Sequence, residues 1–377
     1  MEAAALDELL GGSAREREES WRYSRNAIRA LTQQTFALAA PDAALSAATL
    51  ERIDLPFTRG RRVVVVNGAY SERYSDVGQL ASGVRIERES AQHLAIAFDS
   101  DSPDPLHLVY VSIPAQSASR WQAACEIQLH GGRANFIEQH VGEAGADVFG
   151  ALTSQISLAP QATLNAVLFS DLPDSVSLLR KSQCSVGAGA SCEVTHAHGG
   201  GRLQRIESDI DLAGTNAACH VRGVFALRGR EHVDIHLDVQ HNARDTRSEV
   251  FWRGVADQRA RGIFHGAITV AVGADGADAQ LSNKNLLLSP HAEIDTQPVL
   301  EIYADEVKAS HGATVGQLDE SVMFYLRSRG ITAAAARNML IVAFCREVFD
   351  GVADTALHDY LDALLVARLP AAGEDVA

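Results

Sequence analysis

Alternation rather than helical spacing dominates the middle of the chain. Between about residues 135 and 306 apolar side chains recur at every second position over short runs. Ile206, Ile210 and Leu212 share one parity, as do Val233, Ile235, Leu237 and Val239. Successive side chains of a strand point to opposite faces, so a period of two marks strands with one buried face. Sheet begins earlier, at 62–66, where four valines run into Asn67-Gly68, a strong signal for a tight hairpin turn. The runs 93–98, 106–113 and 125–129 are strand-like, and the intervening 99–105 (Asp-Ser-Asp-Ser-Pro-Asp-Pro) is expected to be an exposed loop.

One pattern repeats within this region. Ala162-Thr163-Leu164-Asn165-Ala166 is echoed by Ala190-Ser191-Cys192-Glu193-Val194 and by Ala217-Ala218-Cys219-His220-Val221, at offsets of 28 (190 − 162) and 27 (217 − 190). Ala292-Glu293-Ile294 is a candidate later copy. Short strands returning at the length of one coil predict a β-helix, in which each coil buries its inward face on its neighbours. The repeat is loose enough that a β-sandwich stays open as the alternative.

Both ends read as helical. Residues 3–10 stop at Gly11-Gly12, and 15–38 carry Trp21, Ala27, Ile28, Leu31 and Phe36 among charges. The Ala-rich 39–48 around Pro41 is a short linker or a capped turn. Beyond 318, Asp319 is placed to cap a helix through Phe324, Tyr325 and Leu326 that Gly330 stops. Thr332 is placed to cap 333–349, with Met339, Leu340, Val342, Ala343 and Phe344 as a broad apolar surface. Asp354 is placed to cap a third helix, with Leu357, Tyr360, Leu361, Leu364 and Leu365 on one side. The junction 310–316 (Ser-His-Gly-Ala-Thr-Val-Gly) reads as a turn. The expected organisation is a helical region 1–60, a β core 61–318 and a helical region 319–377. Three short helices cover each other poorly, which leaves room for a partner-binding face, although packing on their own domain is the commoner outcome.

Composition narrows the partners. The chain has 377 residues, 46% hydrophobic and 21% charged, which suits a globular protein with a sizeable core. Its net charge of −15 disfavours nucleic acid and anionic membranes. No apolar run reaches the roughly 18 residues of a membrane helix. The acidic N-terminus lacks the basic, apolar layout of a secretory or transit signal. Five scattered cysteines with no CxxC pair suit buried thiols in a reducing cytoplasm.

Several chemistries fail at this stage. The three lysines, Lys181, Lys284 and Lys308, never follow glycine, so no phosphate-cradling loop exists and ATP hydrolysis must lie in another chain. Ser310 sits in Lys-Ala-Ser-His-Gly, which has Lys where a nucleophile elbow needs Gly. The segment 232–238 sets His232, Asp234, His236 and Asp238 on one face of a strand. These are ligand types for a divalent metal, but a solvated outer face is the more ordinary reading. His196 and His198, before Gly199-Gly200-Gly201, are a weaker pair of the same kind. His311, among small residues at the β-to-helix junction and near Asp305, Glu306, Asp319 and Glu320, could bind iron or move a proton. By itself it reads more simply as a turn residue bonded to a carbonyl.

The stretches 286–289 (LLLS), 300–316 (LEIYADEVKASHGATVG) and 324–331 (FYLRSRGI) resemble the SufB/SufD family of iron–sulfur cluster assembly proteins, and its SufD branch in particular. Fainter likeness reaches back to about residue 200. The resemblance implies a right-handed parallel β-helix core flanked by helical regions. It implies pairing with a SufB-like paralogue along the β-helix edge, a SufC-like ABC ATPase on the C-terminal helices, and a nascent cluster or iron at the paired interface. His311 would be the shared metal ligand, and Phe324, Tyr325, Met339, Leu340 and Phe344 would lie in the ATPase dock. Ala309 stands where many SufD chains carry a cysteine, and Ala292 where SufB chains carry the scaffold cysteine before a Thr-x-Pro step. The chain is therefore expected to be a cytoplasmic, non-catalytic accessory subunit that holds no cofactor tightly alone and forms a homodimer when isolated. The alternatives are a SufB-like scaffold acting alone and a β-helix carbohydrate-active enzyme, though neither a secretion signal nor hexapeptide repeats support the latter.

Overall fold

The alternating runs close into a parallel β-solenoid, seen in a computed structural model that describes residues 21–369. Its strands are β1 (Ala37–Leu38), β2 (Arg62–Val66), β3 (Ala69–Tyr70), β4 (Val84–Ser90), β5 (His93–Phe98), β6 (Ser102–Ser112) and β7 (Ser119–Leu129). There follow β8 (Arg133–Gly142), β9 (Val148–Leu158), β10 (Thr163–Leu172), β11 (Val176–Val186), β12 (Ser191–Gly200), β13 (Leu203–Leu212) and β14 (Ala218–Leu227). The last are β15 (His232–His241), β16 (Arg247–Ala256), β17 (Arg261–Val270), β18 (Asp278–Leu287), β19 (Glu293–Ile302) and β20 (Lys308–Gly316). From β5 onward the odd strands stack in one sheet that ends at β19, and the even strands in a second that ends at β20. Each coil contributes one strand to each sheet. The hairpins β2–β3 and β4–β5 are antiparallel, and the first turns through Asn67 (φ 48°) and Gly68 (φ 83°), as the Asn-Gly pair predicts.

In-register stacking turns the repeat into columns. Leu164, Cys192 and Cys219 are direct partners across β10, β12 and β14, so the echoed pattern is one inward column. Its continuation is Ser248, Ala279 and Ala309. Ala292-Glu293-Ile294 is not a later copy. Ile294 lies in β19 of the other sheet, opposite Gly262, because two strands per coil leave the sequence period silent about which sheet a run joins. The core between the sheets is mostly aliphatic, with Phe264 and the buried Trp252 ring. A Cβ at Gly223 would stand 2.3 Å from that ring, so the position accepts only glycine. The expected loop 99–105 is partly strand: β6 starts at Ser102 and shifts register before Leu106.

The ends differ from the reading in detail. Helices are α1 (Arg25–Gln33), α2 (Ala47–Ile53), α3 (Glu320–Ser328), α4 (Ala333–Arg346) and α5 (Thr355–Arg368). The expected helix 3–10 and the start of 15–38 lie outside the described residues. The described part ends at Gln33, not Leu38, because Ala37–Leu38 adds a short parallel strand to β7 and Phe36 packs on Phe149. Ser46 caps α2. Asp319, Thr332 and Asp354 cap α3, α4 and α5, and α4 ends at Arg346 before a 3-10 turn, Glu347–Gly351. Ile341, Cys345, Phe349, Leu357, Leu361 and Leu365 pack α4 and α5 on the outer face of the even-strand sheet, against Val167, Phe169, Val224 and Ala226. Among the described residues no helix is long and apolar enough to cross a membrane.

Candidate functional site at the open end of the solenoid

The sequence places His311 in a turn, yet it lies in the last strand of its sheet. Lys308–Gly316 pairs along its length with β18, and neither Gly312 nor Gly316 takes a left-handed φ. The free edge of β18 thus overrides the turn propensity of Ser310, Gly312 and Gly316. His311 stands at an inward position. From β8 onward its column runs Phe136, Ala166, Val194, Val221, Val250 and Leu281, each the register partner of the next, and His311 is its last member. The first six line the core, whereas His311 is exposed because no coil follows.

The surroundings of His311 share that exposure. Of the nine residues of β20 only Ala313 is half-buried. On β19 Val299 and Leu300 are half-buried, Ile302 is 41% exposed and Tyr303, just beyond, 59%. Both sheets therefore end in strands with one hydrogen-bonding edge unmatched, displaying side chains at core positions. Pro298 fits such a place, since an edge strand tolerates a missing N–H. Asp319, a sequence neighbour of His311, instead accepts from the Ser321 and Val322 amides at the start of α3.

The helical tail divides the remaining candidates. Phe324 (73% exposed), Tyr325 (55%) and Met339 (53%) face solvent, and α3 buries none of its residues. Leu340 is half-buried. Phe344 is half-buried against the tail's own cluster, with the Arg253 guanidinium 5.7 Å from its ring.

The histidine segments prove structural. Residues 232–238 do share a face, covered at Asp234 and half-exposed at His232, His236 and Asp238. Asp234 is 1% exposed. It accepts from Ser24 Oγ at 2.5 Å and from Arg205 at 2.7 Å, and the Trp21 ring lies 3.9 Å from the Arg205 guanidinium. Burial alone would raise the Asp234 carboxyl, but Arg205 and His236 outweigh it and hold the carboxyl well below the usual range. A guanidinium already neutralises the carboxylate, so the cluster clasps the N-terminal segment instead of holding a metal. Sequence alternation cannot reveal this, because Ser24 lies 210 residues away. His196 and His198 are buried and bonded to each other at 3.0 Å, and burial pushes His196 down to about 3. Nearby, Glu138 receives Arg180 at 2.5 and 2.9 Å and His140 at 2.7 Å inside the core.

All five cysteines are free and buried. Burial pushes Cys125 and Cys345 up to about 12, so these are protonated, unreactive thiols. Ser310 is exposed on a strand, without the strand–turn–helix setting of a nucleophile elbow.

Residues 113–344 match the family model described as SUF system FeS cluster assembly, SufBD core domain. The iron–sulfur cluster assembly protein SufD of Escherichia coli (strain K12) is 28% identical over 97% of this chain and 92% of its own length. An iron–sulfur cluster assembly SufBD family protein of Synechocystis is 24% identical over 92% of this chain and 85% of its own. A further one from Mycobacterium tuberculosis is 29% identical over 55% of this chain.

Proposed function

Because the chain belongs to the SufBD core family of iron–sulfur cluster assembly proteins, we propose that it is an accessory, non-catalytic scaffold subunit. In this reading it pairs through its open end with a SufB-like paralogue, carries a SufC-like ATPase on α3 and α4, and presents His311 to the nascent cluster or iron. The supporting observation is the last coil. β19 and β20 each offer an unmatched edge, and His311 sits there exposed at a core position. A partner's strands would complete both ladders and bury Ile302, Tyr303 and Val315. An isolated chain would meet a second copy through the same edges.

The thiolates for a cluster come from the SufB-like partner in this reading, since Ala309 and Ala292 carry no sulfur and the chain's own thiols are buried. Energy comes from the ATPase, which docks on Phe324, Tyr325 and Met339. The test is co-expression with SufB-like and SufC-like chains and native mass measurement. A three-component complex is expected. His311→Ala is expected to assemble normally yet lower cluster formation several-fold. Normal cluster formation by His311→Ala would remove the metal role, and failure to co-purify would remove the subunit role.

A further inference from the structure

A second group of metal-ligating side chains lies at the opposite end of the solenoid. Glu89, His93 and Glu126 each bring one ligand atom within 4.8 Å of the others, on the outer face of the odd-strand sheet. The fold builds the group deliberately. The β4–β5 hairpin has a bulge between Arg88 and Ser90, and the unpaired residue is Glu89. Bulges re-aim a side chain, and here the carboxylate comes to 3.0 Å from His93 Nδ1. On the other side, β7 brings Glu126 Oε1 to 3.5 Å from His93 Nε2. The residue facing Glu126 on β5 is Ala95, small enough to leave that line open.

The two ring nitrogens are not equivalent. Nδ1 lies 3.0 Å from a Glu89 carboxylate oxygen, and in the tautomer with its hydrogen on Nδ1 the other nitrogen, Nε2, is an acceptor. Nε2 is shielded from solvent and has no hydrogen-bond partner. Its lone pair faces a carboxylate oxygen, and two such donors need a positive charge between them. A gap of 3.5 Å is wide for a hydrogen bond. It matches the spacing of two ligand atoms on one tetrahedral ion, about 3.4 Å for bonds of about 2.1 Å. Charge points the same way. A proton on Nε2 would leave two carboxylates and one imidazolium, net −1, whereas a dication with neutral imidazole brings the group to zero. Glu89, beside Nδ1, is then the carboxylate placed to orient a metal-bound histidine and raise its basicity. Glu126 also forms one end of an outer groove of about 560 Å³ that Asp209, Asp211 and Asp238 line, which would draw cations toward it.

We infer that Glu89, His93 and Glu126 form a binding site for one divalent first-row transition metal, with His93 Nε2 and Glu126 as ligands and Glu89 orienting the ring. An imidazole ligand selects ions of the zinc or ferrous type over magnesium and calcium. The site is separate from His311 and does not depend on the cluster-assembly reading.

The probes are Zn(II) in calorimetry and Co(II) in absorption spectroscopy, on the metal-stripped full chain carrying His311→Ala, so that the open end contributes nothing. One equivalent is expected to bind, with a Co(II) ligand-field band. His93→Gln and Glu126→Gln are expected to abolish both signals, and Glu89→Gln to weaken affinity about 10–100-fold. Unchanged binding in His93→Gln would overturn the proposal, as would weak, salt-screened uptake of several ions without a ligand-field band. All three side chains are partly exposed, so folding survives the changes, and thermal unfolding of the stripped variants verifies it.

Discussion

The middle coils and the last coil obey one construction rule and reach opposite outcomes. At β14 and β16 the column through Val221 and Val250 has a neighbour on both sides, and both residues are 1% exposed. At β20 the same column ends in His311, with Leu281 on one side and nothing on the other. In a solenoid, burial at a column position comes from the neighbouring coil as much as from the side chain's own hydrophobicity. The last coil is therefore the place where a polar, chemically able residue occupies a core position without destabilising the monomer.

The comparison is broken most severely by giving both positions one charge. Val221→Asp places a carboxylate in an apolar column with no cation to meet it, and it is expected to unfold the chain. His311→Asp should move the midpoint of urea unfolding by less than about 0.5 kcal/mol equivalent. Circular dichroism of both variants decides it. Equal losses would mean that the open end is as closed as the middle.

How much of this was legible follows from the same contrast. The echo at Leu164, Cys192 and Cys219 exposes the coil because identical stacking demands recur at one spacing. The helix caps at Asp319, Thr332 and Asp354 were legible because capping is local chemistry. The strand identity of 308–316 was not, since Ser310, Gly312 and Gly316 read as turn residues and the ladder on β18 decides. The clasp over Asp234 and the approach of Glu126 to His93 are contacts between distant segments, and periodicity carries no record of them. The sequence singles out His311 as a candidate only through the resemblance of its neighbours to the family, and its exposure depends on where the solenoid stops.

A smaller break targets the polar exception within the closed region. Glu138 and Arg180 are both 2% exposed and bonded twice. Glu138→Gln keeps the shape but leaves the guanidinium without its counter-charge. The expected cost is about 3–5 kcal/mol, measured by denaturant unfolding at neutral pH. Glu138→Gln with Arg180→Met removes both charges and should recover much of the loss, because an apolar replacement leaves no charge stranded. No recovery in the double variant would show that the pair acts through its wider network, His140 included, and not mainly as two charges.

The mildest test uses acid, which acts on the interior in part through groups that fold in a neutral state. His196 is 3% exposed, and burial pushes it from its ordinary 6.5 down to about 3, with the nearby Arg180 charge adding to the effect. The unfolded chain therefore binds a proton that the folded chain refuses. Its contribution to stability is complete above pH 6.5 and is lost as pH falls from 6.5 toward about 3, at up to about 1.4 kcal/mol per pH unit. At pH 5 that amounts to about 2 kcal/mol. His196→Asn retains an N–H to meet His198 and cannot titrate, so its unfolding free energy should fall less steeply between pH 6.5 and 5 by about one proton's worth. Parallel slopes for wild type and variant would mean that water reaches the His196 ring, and the middle coils would then be less closed than their columns imply.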